Sequence, residues 1–418
     1  MHKSINRDWD TKEKFITDIN EWKKKFPVIH EFVVSDNGEK ISAVVEIADK
    51  KVAPCINGVA WGNTFEKAWS LRFTPDNHLA CLVLRDYKWT VAIDEKSWEE
   101  KFDFAWDMRL SPDGKSIAVN IKKDDRYGVS LNGRTWENKF FGAKDVVISP
   151  DGKRTACCVK TKNPGALDIF GFSEGILSIA VDGKPWDKNF LSTTGITFSS
   201  DGNRVAGGVR LDRSIFTVAV DGNLWGETFA GIWEPVFRPG SDDVVAPVKT
   251  DKGWTLAMNG MPFWNRNFNQ LWNQRYSPDG QRITAIVATD FGKWTVAVDG
   301  TAWKRTFGAV FSPVFSPDSK RVAAIVKENN RWTIAVDGTT WEKDFDMIWE
   351  PVFSPDSAKV AAKAEINGRF VVVIDGRIGR YKFDTLWNPV FSPDGEKLLI
   401  RCIEEGRYYR RVVPIDEI

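Results

Sequence analysis

Short apolar runs separated by polar turns fill most of this 418-residue chain, and they return with a regular period. In the stretch Val314 to Phe353, an apolar strand leads into Ser316-Pro317-Asp318-Ser319-Lys320, where Pro presets φ and Asp can bond its own backbone. Arg321 to Lys327 is an apolar run with small residues, the pattern of a strand covered on both faces. Asn329-Asn330 makes a second turn, Trp332 to Val336 is β-branched and aromatic, and Asp337-Gly338 is a hairpin signal. Trp341 and Phe345 mark a short outer strand before residues 346–350 carry the chain inward to the next unit.

Equivalent turns begin at Ser35, Thr74, Ser111, Ser149, Ser199, Arg238, Ser277, Ser316, Ser354 and Ser392, with spacings of 39, 37, 38, 50, 39, 39, 39, 38 and 38 residues. A strand-type period near 40 predicts propeller blades. The expected fold is therefore all-β: a β-propeller of ten four-stranded, WD40-like blades spanning residues 28–418, with a first innermost strand at Val28 to Val34. The last unit has strands at Lys397 to Glu404 and Tyr408 to Ile415 and stops before its outer strand, so termini meeting within one blade would close a ring. One ten-bladed ring and two five-bladed rings both fit this pattern.

Most of the 20 tryptophans recur at blade positions. Eight follow the Asp/Asn-Gly turn or its equivalent (Trp61, Trp98, Trp136, Trp186, Trp225, Trp264, Trp303 and Trp341), six precede the innermost strand (Trp69, Trp106, Trp233, Trp272, Trp349 and Trp387), and four open the third strand (Trp89, Trp254, Trp294 and Trp332). A class repeated at one position is most simply a wedge between blades; sugar stacking would need rings exposed in one concave site. Trp9 and Trp22 fall outside this pattern.

Two segments depart from the repeat. Residues 1–27 form an N-terminal extension that reads as an amphipathic helix over 10–26, with Phe15, Ile16, Ile19, Trp22 and Phe26 as its apolar stripe and Pro27 as its stop. It either plugs an end of the propeller or covers its closing blade, or it docks a partner through Trp9 and Trp22. Residues 160–176 lengthen the fourth unit by about 11 residues and carry Leu167, Ile169, Phe170 and Phe172. Such an apolar loop either tucks onto its own blade or is buried by a partner.

Charge changes the picture little: 58 Lys plus Arg against 57 Asp plus Glu give a net charge of +1, with no long-range pull toward nucleic acid. The first ten residues are polar, and no stretch approaches the roughly 20 apolar residues of a membrane span, so a cytoplasmic protein is expected. Cys55, Cys81, Cys157, Cys158 and Cys402 lack disulfide, zinc or iron–sulfur spacing, and read as small buried side chains. His2, His30 and His78 share no metal-ligand spacing, and neither a serine elbow nor a phosphate-cradling loop occurs. The turn aspartates recur in nearly every unit, which suits turn formers better than a catalytic set. Neither an enzyme nor a cofactor-binding protein is expected.

The Ser-Pro-Asp-Gly turns followed by apolar strands resemble the WD40-like repeats of TolB-type propellers. The tryptophan pattern, with KWTVAVDGTAWKRTF at Lys293 to Phe307 and RWTIAVDGTTWEKDF at Arg331 to Phe345, resembles the tryptophan-rich subunit of the Tmc transmembrane redox complex of sulfate-reducing bacteria. That resemblance implies a cofactor-free accessory component of sulfate respiration, held on the cytoplasmic side of the inner membrane through iron–sulfur and cytochrome b subunits. The alternative is a free-standing propeller that senses or binds a ligand or protein.

Overall fold

In the computed structural model, which describes residues 7–47, 50–163, 165 and 175–418, the chain forms ten antiparallel sheets arranged as blades. Blades 1 to 10 begin at Val33, Lys67, Phe104, Gly142, Ser192, Gly231, Gln270, Ala309, Met347 and Thr385. In blade 8 the strands are Ala309–Phe315, Val322–Glu328, Arg331–Val336 and Thr339–Thr340, paired in sequence order from the inside outward. The outer strand thus lies just before Trp341, and Phe345 adds a single bridge to Trp332.

The local reasons are those of the turn chemistry. Ser316 Oγ donates to Asp318 Oδ1 at 2.6 Å and accepts from the Arg321 amide at 2.9 Å, closing the inner turn. Asp299 and Gly300, at φ 50° and 80°, make the left-handed pair a tight hairpin requires, while Asp299 Oδ1 accepts from the Ile283 amide at 2.9 Å. Where the inner turn has Ser in place of Gly, at Ser319 and Ser357, φ is 65° and the hydroxyls accept from the Asp279 and Asp318 amides of the preceding blades, at 3.2 and 3.0 Å.

The core lies between the blades. Ten seams of buried apolar residues each straddle two consecutive blades, from Val44 with Leu79 between blades 1 and 2 to Val372 with Leu398 between blades 9 and 10. The tenth joins Ile403 and Tyr408 of blade 10 to Ile41, Ala43 and Val45 of blade 1. This succession is a single ten-bladed ring; two five-bladed rings would need seams between blades 5 and 1 and between 6 and 10.

Nine of the ten seams carry a tryptophan wedge; between blades 9 and 10 Gly379 stands at that position and donates to the Val372 carbonyl at 2.8 Å. Trp303 and Trp341 lie beneath the turn glycines of the next blades, so that a Cβ on Gly338 or Gly376 would approach them to 3.2 and 3.1 Å. Arg321 adds a polar strap: it pairs with Asp337 at 3.2 Å and donates to the Ser357 and Ala358 carbonyls of blade 9 at 3.1 and 3.0 Å.

The N-terminal segment corrects the sequence expectation. Only Ile19–Lys25 is helical (α1); Glu13–Asp18 (β1) pairs antiparallel with Arg407–Pro414 as the missing outer strand of blade 10. The apolar positions suited a helix, but the free edge of blade 10 offers hydrogen bonds to a strand. Trp22 is the wedge of the closing seam: it is 2% exposed, donates to Thr17 Oγ1 at 2.8 Å and sits beneath the blade 1 turn glycine, Gly58. Trp22 and Phe26 are therefore the Trp-x-x-x-Phe of blade 10, and Trp22, expected outside the repeat pattern, belongs to it. Buried arginines complete the seam: Arg410 donates to the Asn37 and Thr11 carbonyls at 3.1 and 3.2 Å, and Arg401 to the Ser35 carbonyl at 3.3 Å.

Burying an indole removes about 150–250 Å² from water, roughly 4–6 kcal/mol of gross transfer energy. Trp22→Ala should lower the unfolding free energy by about 3–5 kcal/mol in chemical denaturation; a loss under about 1 kcal/mol would contradict the wedge assignment.

The inner turns also set an acid limit. The Ser199 hydroxyl and the Asn203 amide hold the Asp201 carboxyl down from 3.8 to about 2, and Asp113, Asp151, Asp279, Asp318, Asp356 and Asp394 are lowered for the same reasons. Folding therefore favours the ionised carboxylates. Their contribution is complete above the unfolded value of about 4 and is lost as pH falls through the folded values toward about 2. Thermal unfolding scans should show the melting temperature falling across that window, by less in Asp201→Ala.

Candidate functional site

The antiparallel order of each blade places the start of the innermost strand beside the hairpin between the second and third strands. In blade 2, Lys67 pairs with Leu84 and Arg85 with Lys88, so Trp69, Tyr87 and Trp89 lie at one end of the blade. The inner turns and the wedge tryptophans lie at the other end.

At this first end Trp69, Trp106, Trp233, Trp272, Trp349 and Trp387, with Phe311 in blade 8, form a row. Each pairs across its blade with the aromatic residue that opens the third strand. Trp69 lies 4.4 Å from Trp89 and Trp272 4.4 Å from Trp294, centroid to centroid. Phe311 with Trp332, Trp349 with Phe370, Trp233 with Trp254, Trp387 with Tyr408 and Trp106 with Tyr127 lie between 5.5 and 6.1 Å. Such pairs add about 0.5–1.5 kcal/mol beyond area burial, so part of the row is structural. The sequence reading of the recurrent tryptophans as buried wedges holds for Trp61, Trp136 and Trp264, whereas the row keeps part of its surface open.

Cations cover some of the rings. Lys363 Nζ sits 4.0 Å from the Trp349 centroid and 4.4 Å from that of Phe370, where burial lowers its pKa; Lys327 lies over Trp332 at 4.8 Å. Trp69, Phe104, Trp233 and Phe311 remain 38–45% exposed. Phe104 joins blades 2 and 3, edge-on to Trp69 and Trp89 at 5.9 and 5.8 Å and stacked on Trp106 at 5.5 Å. Tyr87 and Phe291, at hairpin tips on the same side, are the most exposed large apolar residues described. This face can offer aromatic contact area on a rigid support.

The row is interrupted in three blades. His30, Lys144 and Thr194 take the aromatic position in blades 1, 4 and 5. At the gap in blades 4 and 5 a cleft of about 270 Å³ opens, lined by Arg109, Lys144, Asp145, Thr194 and Glu234 among others.

Of the residues singled out from sequence, Trp22 is buried in the closing seam and presents no face to a partner. Trp9 is half-buried, its carbonyl accepting from Lys397 Nζ at 3.1 Å. Leu167, Ile169, Phe170 and Phe172 lie outside the described residues; the insert's flanks are joined by a hydrogen bond from the Thr161 amide to the Ile176 carbonyl at 2.9 Å. The structure brings none of these together. Sequence reasoning found the row's tryptophans but took them for wedges, because their partners across the sheet appear only when the strand register is known.

All five cysteines are buried thiols whose pKa burial raises, Cys55 and Cys402 to about 12. Among the described residues no group of three or more His, Cys, Asp or Glu is arranged to hold a metal ion, and no helix is long and apolar enough to cross a membrane.

No protein-family model and no curated protein matches the chain. Among solved structures it is similar to a eukaryotic initiation factor (14% identity, TM-score 0.48, 76% of this chain and 87% of that one). It is similar also to hydrazine synthase of Kuenenia stuttgartiensis (14%, 0.31, 74% and 96%) and to prolyl oligopeptidase B of Galerina marginata (12%, 0.38, 85% and 57%). Likeness at these levels carries no functional argument.

Proposed function

We propose that this protein is a non-catalytic binding module that holds a protein partner against the exposed part of the aromatic row. The observation that carries this reading is the concentration of Trp69, Phe104, Trp233 and Phe311 on one face, with Tyr87 and Phe291 projecting beside them. Large exposed aromatic residues gathered on one side are costly in water and typical of interaction surfaces. The rigid seams beneath them keep ordering costs on binding low.

The sequence resemblance supplies the partner class: an iron–sulfur or cytochrome b subunit of a membrane electron-transfer complex, which would keep this chain at the cytoplasmic side of the membrane without a span of its own. A stable contact within such a complex would bury at least about 1,000 Å².

The test is affinity purification of the tagged protein from its native cells in mild detergent, with mass spectrometry and a haem spectrum of the eluate. Wild type should recover the partner stoichiometrically, and Trp69→Ser combined with Phe104→Ser should lose it while melting within a few degrees of wild type. Full recovery with the double variant would sink the aromatic face as the docking surface. Recovery of this chain alone would sink the redox-complex partner and favour the free-standing module.

A further inference from the structure

Arg275, in the innermost strand of blade 7, reaches across blade 8 to Glu350 of blade 9 at 3.1 Å. Both residues hold fixed places in the repeat: Arg275 is third after Trp272, and Glu350 directly follows Trp349. Glu234 directly follows Trp233 in blade 6, and the same two-blade step leads from it to the residue third after Lys144 in blade 4, which is Val147. Glu234 thus has an apolar residue where Glu350 has a guanidinium, and among the described residues its carboxylate makes no hydrogen bond or ion pair. The nearby cations are turned to other partners. Arg109 of blade 3, for which the step leads to Gly195, pairs with Asp107 of its own blade at 2.8 Å, and Lys144 pairs with Asp145 at 3.2 Å.

Val147 and Glu234 both line the cleft of about 270 Å³ at the gap in the aromatic row, together with Arg109, Lys144 and Asp145. The four charged side chains are exposed, so the cleft is open to a solute. The position of Glu234 is fixed from two sides. Gln274 Nε2 donates to its carbonyl at 2.5 Å, and Gly195, at φ 60°, lets it lie against blade 5, where an added Cβ would come within 2.4 Å of Glu234 Cβ. The second cleft, of about 250 Å³ at the blade 6–7 seam, lies where Arg238 begins the inner turn in place of Ser or Thr. Its charged groups are already engaged: Arg238 donates to the Gly280 carbonyl at 2.8 Å, and Asp299 pairs with Arg282 at 2.9 Å.

We propose that the cleft at the gap in the aromatic row binds a small guanidinium-bearing amino acid of the arginine class. The guanidinium donates to the Glu234 carboxylate beside Val147, as Arg275 donates to Glu350 in the later blades. The ligand carboxylate accepts from Lys144 and Arg109, whose present ion pairs are exposed and therefore weak enough to exchange. With those pairs cancelling, the charge left in the cleft is that of Glu234, which favours a ligand of net positive charge. The volume falls just below the about 300–1,000 Å³ of drug-sized sites and suits a single amino acid. The occupant is a free small molecule, and the site does not rest on the docking role proposed above.

The test is isothermal titration calorimetry of the full chain at low salt with L-arginine, L-citrulline and N-acetyl-L-argininamide. Arginine should bind at one site per chain, and citrulline, which keeps the shape without the charge, should bind at least about tenfold more weakly. Glu234→Gln should weaken arginine binding at least about tenfold with an unchanged melting temperature. Val147→Arg, which places in blade 4 the residue that blades 2, 3 and 7 carry, should abolish binding by supplying the guanidinium from the chain itself; if that variant fails to fold, Glu234→Gln decides alone. Absence of saturable heat up to about 20 mM arginine, or wild-type affinity in Glu234→Gln, would overturn the proposal. Citrulline binding as tightly as arginine would overturn the guanidinium contact. Equal binding of N-acetyl-L-argininamide, which stands for an arginine side chain of a protein, would overturn the free amino acid as occupant.

Discussion

A four-stranded blade has two apolar faces and no third layer of its own to cover them, and everything else in this molecule follows from that. Residues such as Val360, Ala361 and Ala362 point alternately to both sides and are fully buried, which only two flanking blades can achieve. The core is consequently divided into ten seams, each a nearest-neighbour interface, as in other repeat architectures. Nine seams form between sequential units. The tenth must be made by segments almost 400 residues apart, and it has its own chemistry: a helix-borne tryptophan, a borrowed strand, and arginines that satisfy turn carbonyls. Arg401, Arg410 and Tyr408 reach the Ser35 to Gly38 turn from blade 10, tying the two ends of the repeat with directional bonds that a slipped register would not satisfy.

The blades were legible in the amino-acid sequence because each is built on local chemistry: Ser-Pro-Asp-Gly closes one hairpin, Asp-Gly another, and both act over a few residues. The number of rings was not legible, since which blade meets which is a long-range matter. The N-terminal segment misled for a specific physical reason. Phe15, Ile16, Ile19 and Trp22 satisfy a helical period, and nothing nearby shows that Glu13 to Asp18 has an unpaired strand waiting for it. A signal was nevertheless present: Trp22 and Phe26 stand at the spacing of Trp341 and Phe345, and lead into Ser35 as those lead into Ser354. Aligning the units backward from the first inner turn would have exposed the permuted blade.

The tryptophans illustrate how one residue type serves two roles in a repeat. At the inner-turn end they lie under turns and fix blade spacing, so their rings are consumed by structure. At the opposite end they pair across a sheet and keep one surface free. Composition cannot separate these populations, and recurrence alone suggested only the first. Exposure within the second population is uneven: Lys363 shields Trp349, while Trp69 and Phe104 lie open beside each other. The two clefts of the molecule described above lie where the repeat is broken, at the gap in the aromatic row and at the altered blade 6–7 seam.

The pairing of Glu13–Asp18 with Arg407–Arg411 also orders events during synthesis. At about 5–20 residues per second, a ribosome needs roughly 20–80 s to travel from the first of these strands to the second. For that interval the earlier strand has no sheet to join, and the apolar side of blade 1 that Trp22 will cover lacks its neighbour. A nascent chain can assemble its blades one after another, yet it carries an open edge from the first blade to the last. That edge stays unpaired for as long as translation lasts, and a ribosome stalled late in the message would leave an almost complete ring with its two ends unjoined.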